Sequence, residues 1–244
     1  MSPIEFRTGV IRPIECYKEG WELIKDQYWL LLGITIVGMI IGGASMYILL
    51  GAMICGIYYC YFQKIDGKPV TFEALFKGFN YFLPGFVLML LILAPLVIVI
   101  AGIYVPLIMT ITMGSKLSDD ELMAMLIGIG IIEFIFTVLM VCLHTLLMFS
   151  FPLIVDRNLS VWQSIVVSAK AVMKNLSGVV GLFLVGFAVS IAGYLLLCIG
   201  IYLAIPLIFA ANVVAYRKIF PTAQPGNFNM PPQPTSFYDA GRAA

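Results

Sequence analysis

Three stretches of this chain carry no charged side chain: Tyr28 to Phe62, Leu83 to Met113 and Gly178 to Tyr216. A fourth, Leu122 to Val155, carries only Glu133 and His144. A helix needs roughly 20 apolar residues to cross roughly 30 Å of hydrocarbon, where backbone N–H and C=O groups must be satisfied without water. The runs therefore predict an all-α fold, a polytopic transmembrane helix bundle whose first partner is the lipid bilayer. The composition agrees, with 61% apolar residues, 11% charged and a mean hydropathy of +1.03. Soluble domains have about 45–50% and about 25%. A net charge of +1 excludes the basic footprint of a nucleic-acid binder.

Taken as one straight helix, the first run would be about 52 Å long, too long for a single crossing. Gly42-Gly43-Ala44-Ser45 divides it, and Cys198-Ile199-Gly200 divides the last run in the same way. The expected organisation is one domain, residues 1–220, with six spans at about 28–43, 46–64, 83–113, 119–151, 177–196 and 200–219. A re-entrant first hairpin is the alternative to that count. Pro84, Pro95 and Pro106 predict kinks in the third span. Ser118 and Glu121 have capping-box spacing at the start of the fourth. The acids and bases before residue 28, and the apolar residues resuming straight after Ser45, have the wrong shape for a cleaved signal peptide.

Each hairpin is preceded by a short amphipathic segment, at 13–27, 71–82 and 160–176. The apolar stripes are Ile14, Tyr17, Trp21 and Ile24; Phe72, Leu75, Phe76 and Phe79; and Trp162, Ile165, Val166, Ala169 and Met173. Pro13 suits a first helical position, Thr71 an N-cap, and Ser160 with Gln163 a second capping box. Such segments lie in the headgroup plane or pack on a partner protein. The order of amphipathic helix and then hairpin thus occurs three times, as a repeat of elements without matching residues.

With six spans, all of the 14 Lys and Arg except Lys116 fall on one side. The positive-inside rule makes that side cytoplasmic, together with both termini. Residues 221–244, rich in Pro, Gly, Asn and Gln, predict a disordered cytoplasmic tail, within which Pro231-Pro232-Gln233-Pro234 fits a PxxP pattern. The five cysteines form no CxxC pair, and four lie in apolar runs where a thiol behaves as a small hydrophobe. Cys16 is a candidate for lipidation or for ordinary packing.

Glu133 and His144 are eleven residues apart, which at about 100° per residue puts them on one helix face, with Thr137 and Met140 between them. A carboxylate near mid-membrane costs at least about 2.5–3.5 kcal/mol, so Glu133 should face protein or a cavity. Glu133, Thr137 and His144 form the candidate polar face. A proton relay or cation site is one reading; a hydrogen bond to a neighbouring Ser, Thr or Tyr is the plainer one. One histidine without a second buried acid provides no catalytic set, metal set or cofactor site. Asp156-Arg157-Asn158 reads as a turn with a local ion pair, and Asn212 as interhelical glue.

Two stretches resemble a known group. Residues 47–82, with Leu50-Gly51-Ala52, Gly56, Asp66-Gly67-Lys68 and Leu75-Phe76-Lys77-Gly78-Phe79, are similar to the second span and following connection of a loose group of uncharacterised bacterial six-span membrane proteins. Residues 151–219, with Phe151-Pro152-Leu153-Ile154-Val155-Asp156, Ser160, Ser168, Gly200, Pro206 and Ala215-Tyr216, resemble its C-terminal half. The group is similar to the membrane portion attached to some glycerophosphodiester phosphodiesterases. The resemblance implies a bacterial inner-membrane protein and no established chemistry, since no phosphodiesterase domain is present. The expected role is a non-enzymatic scaffold, accessory or assembly factor that binds another membrane protein or self-associates. A small transporter using the Glu133 and His144 face is the alternative.

Overall fold

A computed structural model describes residues 6–113, 118–195 and 199–221. The chain is an all-α bundle: α1 (Pro13–Ile24), α2 (Tyr28–Ala44), α3 (Leu50–Ile65), a 3₁₀ helix (Phe72–Tyr81), α4 (Phe82–Met113), α5 (Asp119–Leu146), α6 (Ser150–Arg157), α7 (Val161–Lys174), α8 (Leu176–Leu195) and α9 (Ile199–Ile219). By length and composition it is a multi-pass membrane protein. Among the described residues, four stretches are long and apolar enough to cross: Phe72–Thr112, Asp119–Arg157, Leu176–Leu195 and Gly200–Ile219.

The expected spans 28–43 and 46–64 are the ones that fall short. With 17 and 16 residues, α2 and α3 reach only about 26 and 24 Å each. A 102° bend separates α1 from α2, so this pair adds a fifth crossing only as one broken span. The tip between α2 and α3 is apolar, with Met46 and Tyr47 exposed and both at positive φ. Its backbone is nonetheless satisfied from within. Ser45, Met46, Tyr47, Ile48 and Leu50 all donate to carbonyls between Ile41 and Tyr47. The Ser45 hydroxyl accepts from the Leu49 N–H and donates to the Gly42 carbonyl.

Small residues bring the helices together. A Cβ on Gly56 would overlap the Leu75 carbonyl oxygen, one on Gly78 the Ala52 carbonyl oxygen, and one on Gly51 the backbone at Gly85. The 3₁₀ helix is therefore pressed backbone to backbone against α3, and α4 continues from it. A 3₁₀ helix has 3.0 residues per turn, so side chains at i and i+3 eclipse. Accordingly the Phe76 and Phe79 rings stack nearly parallel, 6.4 Å apart. Against α3, α9 stacks Phe209 on Tyr61 and sets it edge-on to Tyr58, and α1 presses Gly20 against Ala211 of α9.

The three amphipathic segments form at α1, the 3₁₀ helix and α7, and in each of them part of the apolar stripe faces outward. In α7 the body takes Ser164, Ser168, Ala171 and Val172, while Trp162 is 72% exposed and Met173 62%. The 3₁₀ helix buries Ala74, Leu75 and Gly78 and leaves Phe72, Phe76 and Phe79 outside. In α1, Tyr17 and Ile24 of the expected stripe are buried beside Cys16 and Gly20, and Ile14 and Trp21 are exposed. Pro13 opens α1, and the capping boxes at Ser118 and Ser160 both form. Thr71 makes no side-chain cap.

The expected span 119–151 is interrupted. α5 stops at Leu146 and α6 starts at Ser150, because Pro152 has no N–H to give the carbonyl four residues earlier. Ser168 of α7 bridges the break, accepting from the Phe149 N–H at 3.1 Å and donating to the Leu146 carbonyl at 2.7 Å. The tail beyond Pro221, including the PxxP stretch, and Lys116 lie outside the described residues.

Candidate functional site

The structure separates the expected polar face into two places. Glu133 turns toward α4, where its Oε1 lies 2.8 Å from the point a Cβ on Gly102 would occupy. Its Oε2 is buried with no hydrogen-bond partner. Pro106 withholds the N–H that the Gly102 carbonyl would accept within the helix, so both polar groups here lack ordinary helical partners. Thr137 and His144 instead line an apolar cavity of about 350 Å³ with Leu96, Val99 and Phe183. Neither of the two cavities that His144 lines includes Glu133.

The second of these, about 470 Å³, is where α1, α3, α5, α8 and α9 converge, and sequence reasoning missed it. Tyr17, Tyr58, His144, Ser190 and Asn212 bring polar atoms to walls that are otherwise aliphatic and aromatic. Asn212 Nδ2 donates to the Tyr58 hydroxyl at 3.0 Å, which fits the expected glue between α3 and α9. The Asn212 Oδ1 is buried and unpaired. His144 Nδ1 is 2.8 Å from the Met140 carbonyl oxygen, and the Ser190 hydroxyl donates to the Gly186 carbonyl at 2.8 Å. The Tyr17 hydroxyl comes so close to Gly186 that a Cβ there would lie 2.6 Å away. No signal in one sequence joins five residues from five helices.

A charged network closes one end of the body. Arg217 of α9 donates from Nη1 to Asp156 Oδ1 at 2.7 Å, and from Nη2 to Asp66 at 3.1 and 3.2 Å. The Tyr216 hydroxyl donates to Asp156 Oδ2 at 2.8 Å, and Arg157 Nε donates to the same oxygen at 3.1 Å. The Arg217 guanidinium also lies over the Phe62 ring, 4.7 Å from its centroid. The pair expected within Asp156-Arg157 is therefore part of a clasp joining the ends of α3, α6 and α9. Around it run the surface pairs Lys218–Glu19 at 2.7 Å and Lys64–Asp26 at 2.5 Å. The Lys64 ammonium beside Asp26 holds that carboxyl below its ordinary range. Comparison with protein-family models, curated proteins and solved structures gave no match.

Gly51, Gly56 and Gly78 are the close-approach glycines, Asp66, Asp156 and Tyr216 belong to the clasp, and Ser168 bridges the α5–α6 break. They hold the body together. Among the described residues no group of three or more His, Cys, Asp or Glu is placed to hold a metal ion. Cys16, Cys55, Cys60 and Cys142 are free thiols, and Cys16 is fully buried.

Proposed function

We propose that this protein is a non-enzymatic scaffold or assembly factor of a bacterial cytoplasmic membrane, which holds another membrane protein, or a second copy of itself, through its α4–α5 hairpin. The hairpin supports this reading. At 32 and 28 residues, α4 and α5 are about 48 and 42 Å long, and α5 has no buried residue at all. Above the cavity that Leu96, Val99 and Thr137 share with Phe183 of α8, the described residues of the hairpin offer two long apolar faces in the plane where membrane helices associate. A photocrosslinking residue at Ile98 or Phe134 is expected to give one discrete adduct, while the same probe at Leu184 on α8 gives none. No adduct, together with a monomer mass in mild detergent, removes the reading.

Both termini are assigned to the cytoplasm by the basic residues. Arg7, Lys18, Arg217 and Lys218 line one open cleft beside the clasp, at the end of the body away from the α2–α3 tip. That tip, uncharged and with its N–H groups satisfied internally, is suited to ending within lipid, so that α2 and α3 form a re-entrant hairpin. With the natural cysteines replaced, Met46→Cys should resist a membrane-impermeant maleimide from both sides until detergent is added, whereas Asp119→Cys reacts from outside. Labelling of Met46→Cys in intact vesicles would restore two full spans.

A small transporter or channel is the second reading, supported by the unpartnered Oε2 of Glu133. It requires a liposome flux that Glu133→Gln changes, and an unaltered flux eliminates it.

A further inference from the structure

The 470 Å³ cavity has no part in scaffolding, yet it is of a size that holds small molecules, with the apolar walls and few polar groups such sites share. No Asp, Glu, Lys or Arg lines it, so a charged ligand would enter without a counter-charge. The polar groups that are present work in both directions. The Tyr58 hydroxyl accepts from Asn212 and keeps its own proton to donate. Asn212 Oδ1 is an acceptor already removed from solvent and left unpaired, at a cost that only a donor can recover. The Met140 carbonyl accepts only, so its contact places a proton on His144 Nδ1, and in the neutral ring Nε2 is left as an acceptor. Phe183 and Phe187 of α8 also line the cavity, yet they are 46% and 66% exposed on the outer surface, so the mouth opens sideways toward lipid.

We propose that this cavity binds an uncharged lipid with a hydroxyl headgroup, of the diacylglycerol type, taken laterally from the bilayer. A hydroxyl both donates and accepts, so it meets Asn212 Oδ1 or His144 Nε2 on one side and the Tyr58 O–H on the other. A ligand that only accepts, such as a carbonyl or an ether, leaves those acceptors orphaned. The cavity holds the glycerol and the first carbons of the chains, and the acyl tails pass out between Phe183 and Phe187.

The test uses the full chain in phosphatidylcholine nanodiscs with a photoreactive, diazirine-bearing diacylglycerol. Adducts are expected to concentrate in peptides covering 144–151 and 182–190. Excess unlabelled diacylglycerol should remove them, and its O-methyl ether or phosphatidic acid should not. Asn212→Leu is expected to lower labelling about fivefold to tenfold, the equivalent of one lost hydrogen bond. Because that variant also cuts a bond between α3 and α9, the competition on unaltered protein is the deciding arm. Adducts spread along α4 and α5 without competition overturn the site. Equal competition by phosphatidic acid or by the ether overturns the headgroup assignment.

Discussion

In the body, α3 is enclosed by α2, the 3₁₀ helix, α4, α6 and α9, and eleven of its sixteen residues are buried. In the α4–α5 hairpin, a helix of 28 residues buries none. Both regions are apolar, so hydrophobicity alone does not separate them. Close backbone approach and polar pairing do. The body buries large side chains such as Tyr61, Tyr216, Phe149 and Leu31 between points where glycines let backbones touch, and is fastened by Ser168 and the Arg217 clasp. The hairpin presents Leu, Ile, Val and Phe outward over most of its length. In lipid, taking an apolar side chain inward is no driving force by itself, and close packing with hydrogen bonds between helices is what holds an interior together.

The largest effect should come from breaking a backbone contact in the body. Gly56→Ala places a methyl against the Leu75 carbonyl, and neither backbone can yield without parting α3 from the 3₁₀ helix. A loss of about 3 kcal/mol or more is expected in detergent unfolding. The same change at Gly102 meets only the end of the flexible Glu133 side chain, and at Gly128 it meets nothing within 4 Å. Those two should stay within about 1 and about 0.5 kcal/mol of the unaltered protein. If Gly102→Ala matched Gly56→Ala, the hairpin would be packed as tightly as the body and the contrast would fail.

Next in size is the clasp. Arg217 and Asp156 are each 12% exposed, and removing the guanidinium leaves two carboxylates facing each other across the end of the bundle. Arg217→Ala is expected to cost about 2–4 kcal/mol, below the full figure for a buried pair because water reaches this network. Arg217→Lys should recover less than half of that, since an ammonium cannot fork between Asp156 and Asp66. Chemical unfolding of both variants reads the difference.

Much of the fold was legible in the sequence, for a definable reason. Charge-free runs, the capping boxes at Ser118 and Ser160, and Pro13 are local signals, and each lies where the backbone obeys it. Two things were not local. The outward-facing stripes of α7 and the 3₁₀ helix are visible on a helical wheel, but the wheel does not say whether apolar means core or lipid. The stripe residues Trp162 and Phe76 face outward, and Ser164, Ser168 and Gly78, outside the stripes, form the interior side. The candidate face was half legible for the same reason. The spacing put Glu133, Thr137 and His144 on one side of α5, but α4 covers Glu133 and α8 closes over His144, and the cavity partners Tyr58 and Asn212 are 154 residues apart. The break between α5 and α6 lies inside the span expected at 119–151, where Pro152 was not read as a stop. The repair of that break by Ser168 of α7 is not a local signal either.

That repair carries the third prediction. Ser168→Ala leaves the Phe149 N–H and the Leu146 carbonyl unpaired at a buried break, with a cost of about 1–3 kcal/mol. Ser164→Ala, whose hydroxyl only returns to the Val161 carbonyl of its own helix, should cost a few tenths. A smaller change at Ser168 than at Ser164 would mean that α7 leans on the body without supporting it.

The smallest effect concerns pH, and it too belongs to the body alone. Hydrogen bonding to Lys64 lowers the Asp26 carboxyl in the folded protein. A carboxyl held low in the fold contributes stability above its unfolded value of about 3.9, and that contribution disappears as pH falls through the folded value. The Lys64–Asp26 pair should therefore contribute a small, solvent-screened share at neutral pH, because Asp26 is on the surface, and lose it on the acid limb below about pH 4. Lys64→Ala is expected to flatten the acid limb of melting temperature against pH by a small, salt-sensitive amount. A photocrosslinking adduct from Phe134 on the hairpin should keep its yield over the same pH range. Loss of that adduct in step with the acid limb would tie the hairpin to the charges at the far end of the body, and the two regions would then behave as one cooperative unit.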